Sequence, residues 1–452
     1  MNKKSFIKMF LLSSVVFINN ISAQTSYRQS VNNGNWAPDT KAEIDNLISA
    51  NAGHKKAYAV FDWDNTSIFA DTQEMLFFYQ IENLEFKMTP EEFKYSFLHY
   101  TDIGYTGNLE IPPVDFDNSF TSIDGKTINI SSMAEDCFDD YKYFYENYRR
   151  LNPKSKGDMK LDDIKTTDQF LDFRAKMWFT YAALYKSFSA NAAYTWVMYV
   201  TAPGYTSKSF DVMVEKAIDW GVKRECKKNY YDSPVSLPGR AGAVSNTQID
   251  NYVINTIRPT PEISSLFKEL EKNKIHVHVC TASLQDIVEV VATNPKYGYN
   301  LPKNRVMGLR LKKDAKGRFL PEYDISGGYV INSMNGKAIN INNILVKKYK
   351  ANPVMIAGDS DGDYSMMTKF SGLNGASTIN EYKPLQLILI VNRLKRGKIG
   401  EMCKIATGQL AGKRKDATTV VLQGRNDNLG EWIPTEKTIK FGMTENQAEM
   451  LP

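Results

Sequence analysis

Residues 58–66 read Tyr58-Ala59-Val60-Phe61-Asp62-Trp63-Asp64-Asn65-Thr66. An apolar run ends here in two carboxylates one residue apart, followed by a small hydroxyl. A buried strand accounts for the apolar run. It does not account for two acids at its end. Alternate side chains of a strand share a face, so Asp62 and Asp64 point into one cavity. Two like charges that close repel unless a cation or a shared proton joins them. A divalent metal with phosphoryl chemistry explains the pair.

Outward from this stretch, the chain organises into two patterns. From about 72 to 254 it carries long amphipathic, aromatic-rich runs, such as MLFFYQIENLEF and FRAKMWFTYAALYKSF, which predict helices. Gly and Pro mark loops at Gly107–Asp117 and Ser233–Ala243. Beyond residue 258, strands alternate with helices. Strands are expected at 275–280, 305–311, 328–331 and 353–357, and helices at 263–273, 284–293 and from 338 to 349. This alternation implies a mainly parallel α/β sheet, in which ligands sit at the carboxyl ends of the strands. Three polar clusters fall at such ends: after Phe61, after Cys280, and after Ala357 at Gly358-Asp359-Ser360-Asp361-Gly362-Asp363.

These clusters supply complementary chemistry. Asp62 is the candidate nucleophile, since a carboxylate that attacks phosphorus splits a difficult displacement into two steps. Asp64 is the candidate general acid and then base, kept protonated by its acidic neighbour. Thr66 lets the loop turn and bond to its neighbours. Thr281 offers a hydroxyl and a backbone N–H at a helix start, where anions bind. Lys337 offers a point charge, and a transferring phosphoryl group needs one. Asp359 offers hard oxygen ligands that suit Mg²⁺. Asp363 either holds the metal's water shell or fixes Lys337, and Asp361 is divided between metal surroundings and surface. Ser283 reads as a cap or loop stabiliser. His276 and His278 alternate along a strand without a metal-binding pattern. Lys395–Lys398 reads as a solvated face, and Trp178, Tyr181 and Tyr185 have the spacing of helix core.

The strings FDWDNT, HVHVCTAS, GK and GDSDGD, in this order and strand context, resemble the four motifs of the haloacid dehalogenase-like phosphatases. The resemblance covers about residues 57–75 and 255–370. It implies a Rossmann-like core with a large helical cap inserted after the first strand. It also implies the roles above for Asp62, Asp64, Thr281, Lys337, Asp359 and Asp363, with Mg²⁺ held by Asp62, the Asp64 carbonyl and Asp359. An acid at Asp64 separates the chain from dehalogenases and ion pumps. A narrower resemblance, to exported bacterial phosphorylcholine phosphatases, rests on Arg258-Pro259, CTAS, GDSDGD, Val391-Asn392-Arg393 and the tail VLQGRNDNLGEWIPTEKT. It implies phosphocholine or a similar amino-alcohol phosphate as substrate. A quaternary ammonium favours aromatic faces and a carboxylate. Asp71, nine residues after Asp62, matches the offset of an ammonium-facing acid in related phosphoserine phosphatases. Phosphoserine or a broad range of monoesters is the alternative substrate, and a non-catalytic choline-binding protein the alternative class.

Composition bounds the rest. The chain has 452 residues, 42% hydrophobic and 24% charged, with formal charge +5. Its first 23 residues pair a basic start with a short apolar run and small residues ending at Ala23, a secretory leader pattern. Cleavage after Ala23 removes Lys3, Lys4 and Lys8 and leaves +2. That charge implies no nucleic-acid partner and no stable membrane insertion. The mature protein is expected to be periplasmic or secreted. The four cysteines, Cys137, Cys226, Cys280 and Cys403, suggest neither zinc nor a disulfide pattern. The expected division is a leader at 1–23, a catalytic core at 24–75 and 255–452 with a C-terminal extension, and a cap at 76–254. Oligomeric state is open.

Overall fold

The computed structural model describes residues 34–99, 117, 119–249 and 252–447. The leader at 1–23 and most of the loop expected at 107–117 lie outside these residues. A six-stranded parallel sheet forms the centre. Its strands are β1 (Tyr58–Phe61), β2 (His276–Leu284), β3 (Val306–Leu309), β4 (Met355–Gly358), β5 (Leu387–Val391) and β6 (Thr419–Gln423). They lie in the order β6-β5-β4-β1-β2-β3.

β1 is central, and all four of its residues are buried, which explains its unbroken apolar run. Successive side chains face opposite layers. Ala59 and Phe61 join one core with Val277, Val279 and Leu389. Tyr58 and Val60 join a second with Ile356, Ile388 and Ile390. On the first face Phe61 packs edge-on against Phe267 of the helix Pro261–Lys272, ring centroids 4.8 Å apart. Met402 and Ala406 of the helix Lys398–Leu410 pack into the second core.

Between β1 and β2 the described residues are mainly helical. The longer helices are Thr72–Asn83, Ile130–Asn147, Asp168–Ser187, Ala190–Thr201 and Ser207–Val222. Their aromatic residues pack on one another: Phe77 lies 4.8 Å from Trp178 and 5.6 Å from Trp196, centroid to centroid. Helix Thr72–Asn83 is fastened to the sheet where Gln73 Oε1 accepts the Leu284 N–H at 2.9 Å.

Four local expectations change. β2 runs on to Leu284, so Thr281 lies within the strand and the following helix begins at Gln285. No strand forms at 328–331, because Gly327 and Gly328 take φ of +67° and +77° beside a 3₁₀ turn. The helix reaching Tyr349 contains a π-helical stretch, Ile341–Val346. The tail supplies two of the six sheet strands, β5 and β6. The four cysteines are unpaired. Among the described residues no helix is long and apolar enough to cross a membrane.

Candidate active site

The carboxyl ends of β1, β2 and β4 converge on a cavity of about 790 Å³. Asp62, Asp64, Thr281, Lys337 and Asp359 all line it. Just past β1, Asn65 adopts φ +62° and its N–H bonds the Ala70 carbonyl at 3.0 Å, turning the chain back. Asn and Asp are the side chains that tolerate this conformation best. At β4, Gly358 lets the next loop fold in: a Cβ there would meet Asp363 Cβ and Cγ at 2.7 Å.

Lys337 Nζ donates to Asp62 Oδ1 and to Asp363 Oδ1, both at 2.7 Å. Burial opposes its charge, yet Asp363 and Asp62 outweigh burial and hold its ammonium well above the usual lysine range. Burial, then the Asp363 charge, pushes Asp62 up, with Lys337 opposing. Asp363 therefore fixes the lysine, and its second oxygen accepts the Asp359 and Ser360 N–H groups at 3.0 and 3.2 Å.

Asp64 has a different environment. Thr72 donates to its Oδ1 through both N–H and Oγ1–H at 2.7 Å, and Ser283 Oγ–H donates to Oδ2 at 2.6 Å. These bonds favour the carboxylate. Burial and the nearby Asp71 outweigh them and raise Asp64 to about 7. Thr281 Oγ1 lies 3.4 Å from the same Oδ2 and accepts the Ser283 N–H at 3.0 Å.

Thr66 and Asp71 are buried and do not line the cavity. Thr66 Oγ1 stands 3.2 Å from both Asp62 Oδ2 and Asp359 Oδ1. Asp71 caps helix Thr72–Asn83, accepting the Gln73 and Glu74 N–H groups at 2.9 Å. Burial, then Glu74, lifts it to about 7. Tyr194 lines the cavity and donates its hydroxyl to Asp71, while Tyr181 donates to Glu74 behind it. Tyr185 is half-exposed and lines the cavity, unlike its helical neighbours Trp178 and Tyr181.

Asp62, Asp359 and Asp363 have carboxylate oxygens within 4.8 Å of one another, all buried. Three buried acids with oxygens this close form a hard-oxygen donor set that fits a divalent cation. Asp62 and Asp359 could hold it, with Asp363 within reach.

Sequence reasoning passed over several of these groups. Ser283 reaches Asp64 because β2 continues past Thr281. Lys395, Arg396 and Lys398 line the cavity rather than forming a solvated face, and Arg393, which had no assigned role, lines it with them. Arg393 Nη1 donates to Asp359 Oδ2 at 2.6 Å, and Lys395 Nζ lies 3.5 Å from that oxygen. Against burial, Lys395 and Arg393 hold Asp359 well below the usual carboxylate range. The signal for these residues is a run of basic side chains directly after an apolar strand. Asp361 also lines the cavity and accepts the Ile399 N–H at 2.8 Å.

Two comparisons bear on this geometry. The chain is 24% identical over 364 residues to a phosphorylcholine phosphatase of Pseudomonas aeruginosa, covering 75% of this chain and 78% of that protein. It superposes on the crystal structure of a conserved protein of unknown function from Anaerococcus prevotii with a TM-score of 0.75. That match is 27% identical and covers 91% of this chain and 98% of the other. No family model matches the chain. The fold is an α/β core of this kind.

Proposed function

We propose that the protein is a metal-dependent phosphomonoesterase working through an aspartyl-phosphate on Asp62. One observation carries the reading: Asp62 and Asp64 share one cavity but not one environment. Asp62 faces Lys337 and Asp359, whereas Asp64 faces Thr72, Ser283 and Thr281. Two carboxylates held by different partners in this way suit a nucleophile and an acid–base group.

In the first step Asp62 attacks phosphorus, the P–O bond to the alcohol breaks, and Asp64 gives its proton to the leaving oxygen. In the second step Asp64 takes a proton from water. The resulting hydroxide oxygen displaces Asp62 and releases phosphate. Lys337 pairs with Asp62 and offers charge to the phosphoryl oxygens, while Thr281 and Ser283 orient Asp64. Mg²⁺, when bound by Asp62, Asp359 and the Asp64 carbonyl, supplies positive charge for the phosphoryl oxygens. The helical residues 76–254 act as a cap over the carboxyl ends of the strands.

The substrate reading is phosphocholine or a related amino-alcohol phosphate. It draws support from the named relative and from the wall formed by Tyr185 and Tyr194. Asp71 accepts the Tyr194 hydroxyl behind this wall, and Glu74 accepts that of Tyr181. Aromatic faces backed by carboxylates suit a quaternary ammonium. The leader pattern at 1–23 supports an exported protein.

The test is a phosphomonoester panel assayed with and without Mg²⁺. Phosphocholine is expected to lead in kcat/KM, ahead of phosphoethanolamine and phosphoserine. Equal values would replace this substrate reading with a broad-range one. Turnover unaffected by EDTA would remove the metal. Binding of choline or phosphocholine without phosphate release would replace the enzyme with a binding protein.

A further inference from the structure

Three cationic groups, Lys337, Arg393 and Lys395, meet three carboxylates, Asp62, Asp359 and Asp363, at one end of the cavity. Lys337 belongs to Asp62 and Asp363. Arg393 and Lys395 both belong to Asp359, on the same Oδ2. The site is therefore formally neutral before any cation or phosphate arrives. A divalent cation alone leaves an excess of two positive charges, which a phosphate dianion removes.

Arg393 is built for more than one partner. Its Nη1 holds Asp359, while its Nε is buried with no hydrogen-bond partner. A guanidinium carries five N–H donors, so one bond to Asp359 leaves others for a second acceptor. Leu394, with φ +56°, turns the chain between Arg393 and Lys395, and both side chains line the cavity. Arg393 and Lys395 crowd one oxygen of Asp359, at 2.6 and 3.5 Å, and so repel each other. An arriving anion relieves that repulsion and offers Arg393 a second acceptor.

We infer that Arg393, assisted by Lys395, is a resident counter-ion of Asp359 that a divalent cation must displace, and that phosphate draws it off. Cation and phosphate then bind as a coupled pair, each tightening the other by the same factor. The inference rests on the metal-dependent reading above and adds a regulation of that same site. Removing Arg393 leaves Asp359 buried without its closest cation. Mg²⁺ alone should then bind more tightly, and phosphate less tightly.

Calorimetric titration of the full chain with Mg²⁺, with and without inorganic phosphate, tests this in wild type, Arg393→Gln and Lys395→Gln. In Arg393→Gln, Mg²⁺ alone should bind about ten-fold tighter, within the usual range of coupling between sites. The gain in Mg²⁺ affinity from phosphate should shrink by a similar factor. Lys395→Gln, whose side chain lies farther from Asp359, should shift both quantities in the same direction by less, and it carries the test if Arg393→Gln does not fold. Mg²⁺ affinity equal to or weaker than wild type in folded variants would overturn the inference while leaving the metal reading intact. No Mg²⁺ binding by wild type at any phosphate concentration would overturn both.

Discussion

Ser283 Oγ–H donates to Asp64 Oδ2 at 2.6 Å, across 219 residues of chain, and this bond favours the ionised form of the acid. Asp64 must be protonated to assist the leaving group, so activity should fall as pH rises through about 7. Ser283→Ala removes a donor to a charged acceptor. A loss of about 1.5 kcal/mol moves the pKa up by about one unit. The alkaline limb of kcat should shift to higher pH by that amount, while the maximum rate falls as Asp64 loses orientation. A limb that does not move would exclude Asp64 as the acid.

Asp62→Asn should abolish turnover while leaving the far-UV circular dichroism unchanged. The amide keeps the shape but cannot form the acyl phosphate. The protein should still bind inorganic phosphate, because Lys337 remains bonded to Asp363. Normal turnover by this variant would sink the mechanism.

Tyr194→Phe keeps the ring at the cavity wall and removes the hydroxyl that reaches Asp71. Phosphocholine KM should rise several-fold, with a smaller change in kcat, and simple aryl phosphates should be unaffected. An equal KM change for both substrates would assign Tyr194 to packing.

Gly358→Ala places a methyl against Asp363, whose Cβ and Cγ would lie 2.7 Å away. Overpacking of this kind costs about 1–3 kcal/mol. It also displaces the acid that fixes Lys337. Thermal denaturation should show a lower Tm, and activity should fall further than the stability loss explains.

His278 is held neutral: burial, then Arg305, Lys348 and His276, lowers its pKa to about 2. In the unfolded chain it protonates near 6.5. Its contribution to stability is complete above about 6.5 and is lost as pH falls from there toward 2. His278→Gln should flatten the stability profile, measured by urea unfolding, over the upper part of that window. An unchanged slope would show that His278 is not a source of acid sensitivity.

The meeting of Asp62, Asp64 and Asp359 at one cavity was legible because its signals are local. Asp62 and Asp64 follow a buried strand, and Asp359 follows another, so periodicity alone brings them to one end of the sheet. Lys337 became legible only through its place before Asp359. Ser283 was misread because β2 continues to Leu284, where a helix start was expected after Cys280. Lys395 was misread, and Arg393 was given no role, because their setting depends on Val391 ending a central-sheet strand and on the reversal at Leu394. Asp71 shows the converse: its offset suggested substrate contact, yet its side chain caps a helix and lies beneath Tyr194. Tertiary placement, which short strings do not encode, decides each of these.

The tail adds β5 and β6, and Arg425 Nη1 reaches the Asn65 side-chain oxygen at 3.1 Å, bracing the turn after the two acids. β1 leaves the ribosome early, yet its sheet neighbours begin only at His276 and Met355. Such distant pairing makes folding slow. The two acids therefore remain apart from Lys337 and Asp359 until most of the polypeptide has been synthesised, and the brace from Arg425 comes later still. A chain that ended before residue 359 would carry Asp62, Asp64 and Lys337 but lack Asp359 and Asp363, so the last third of the polypeptide is needed to close the cluster.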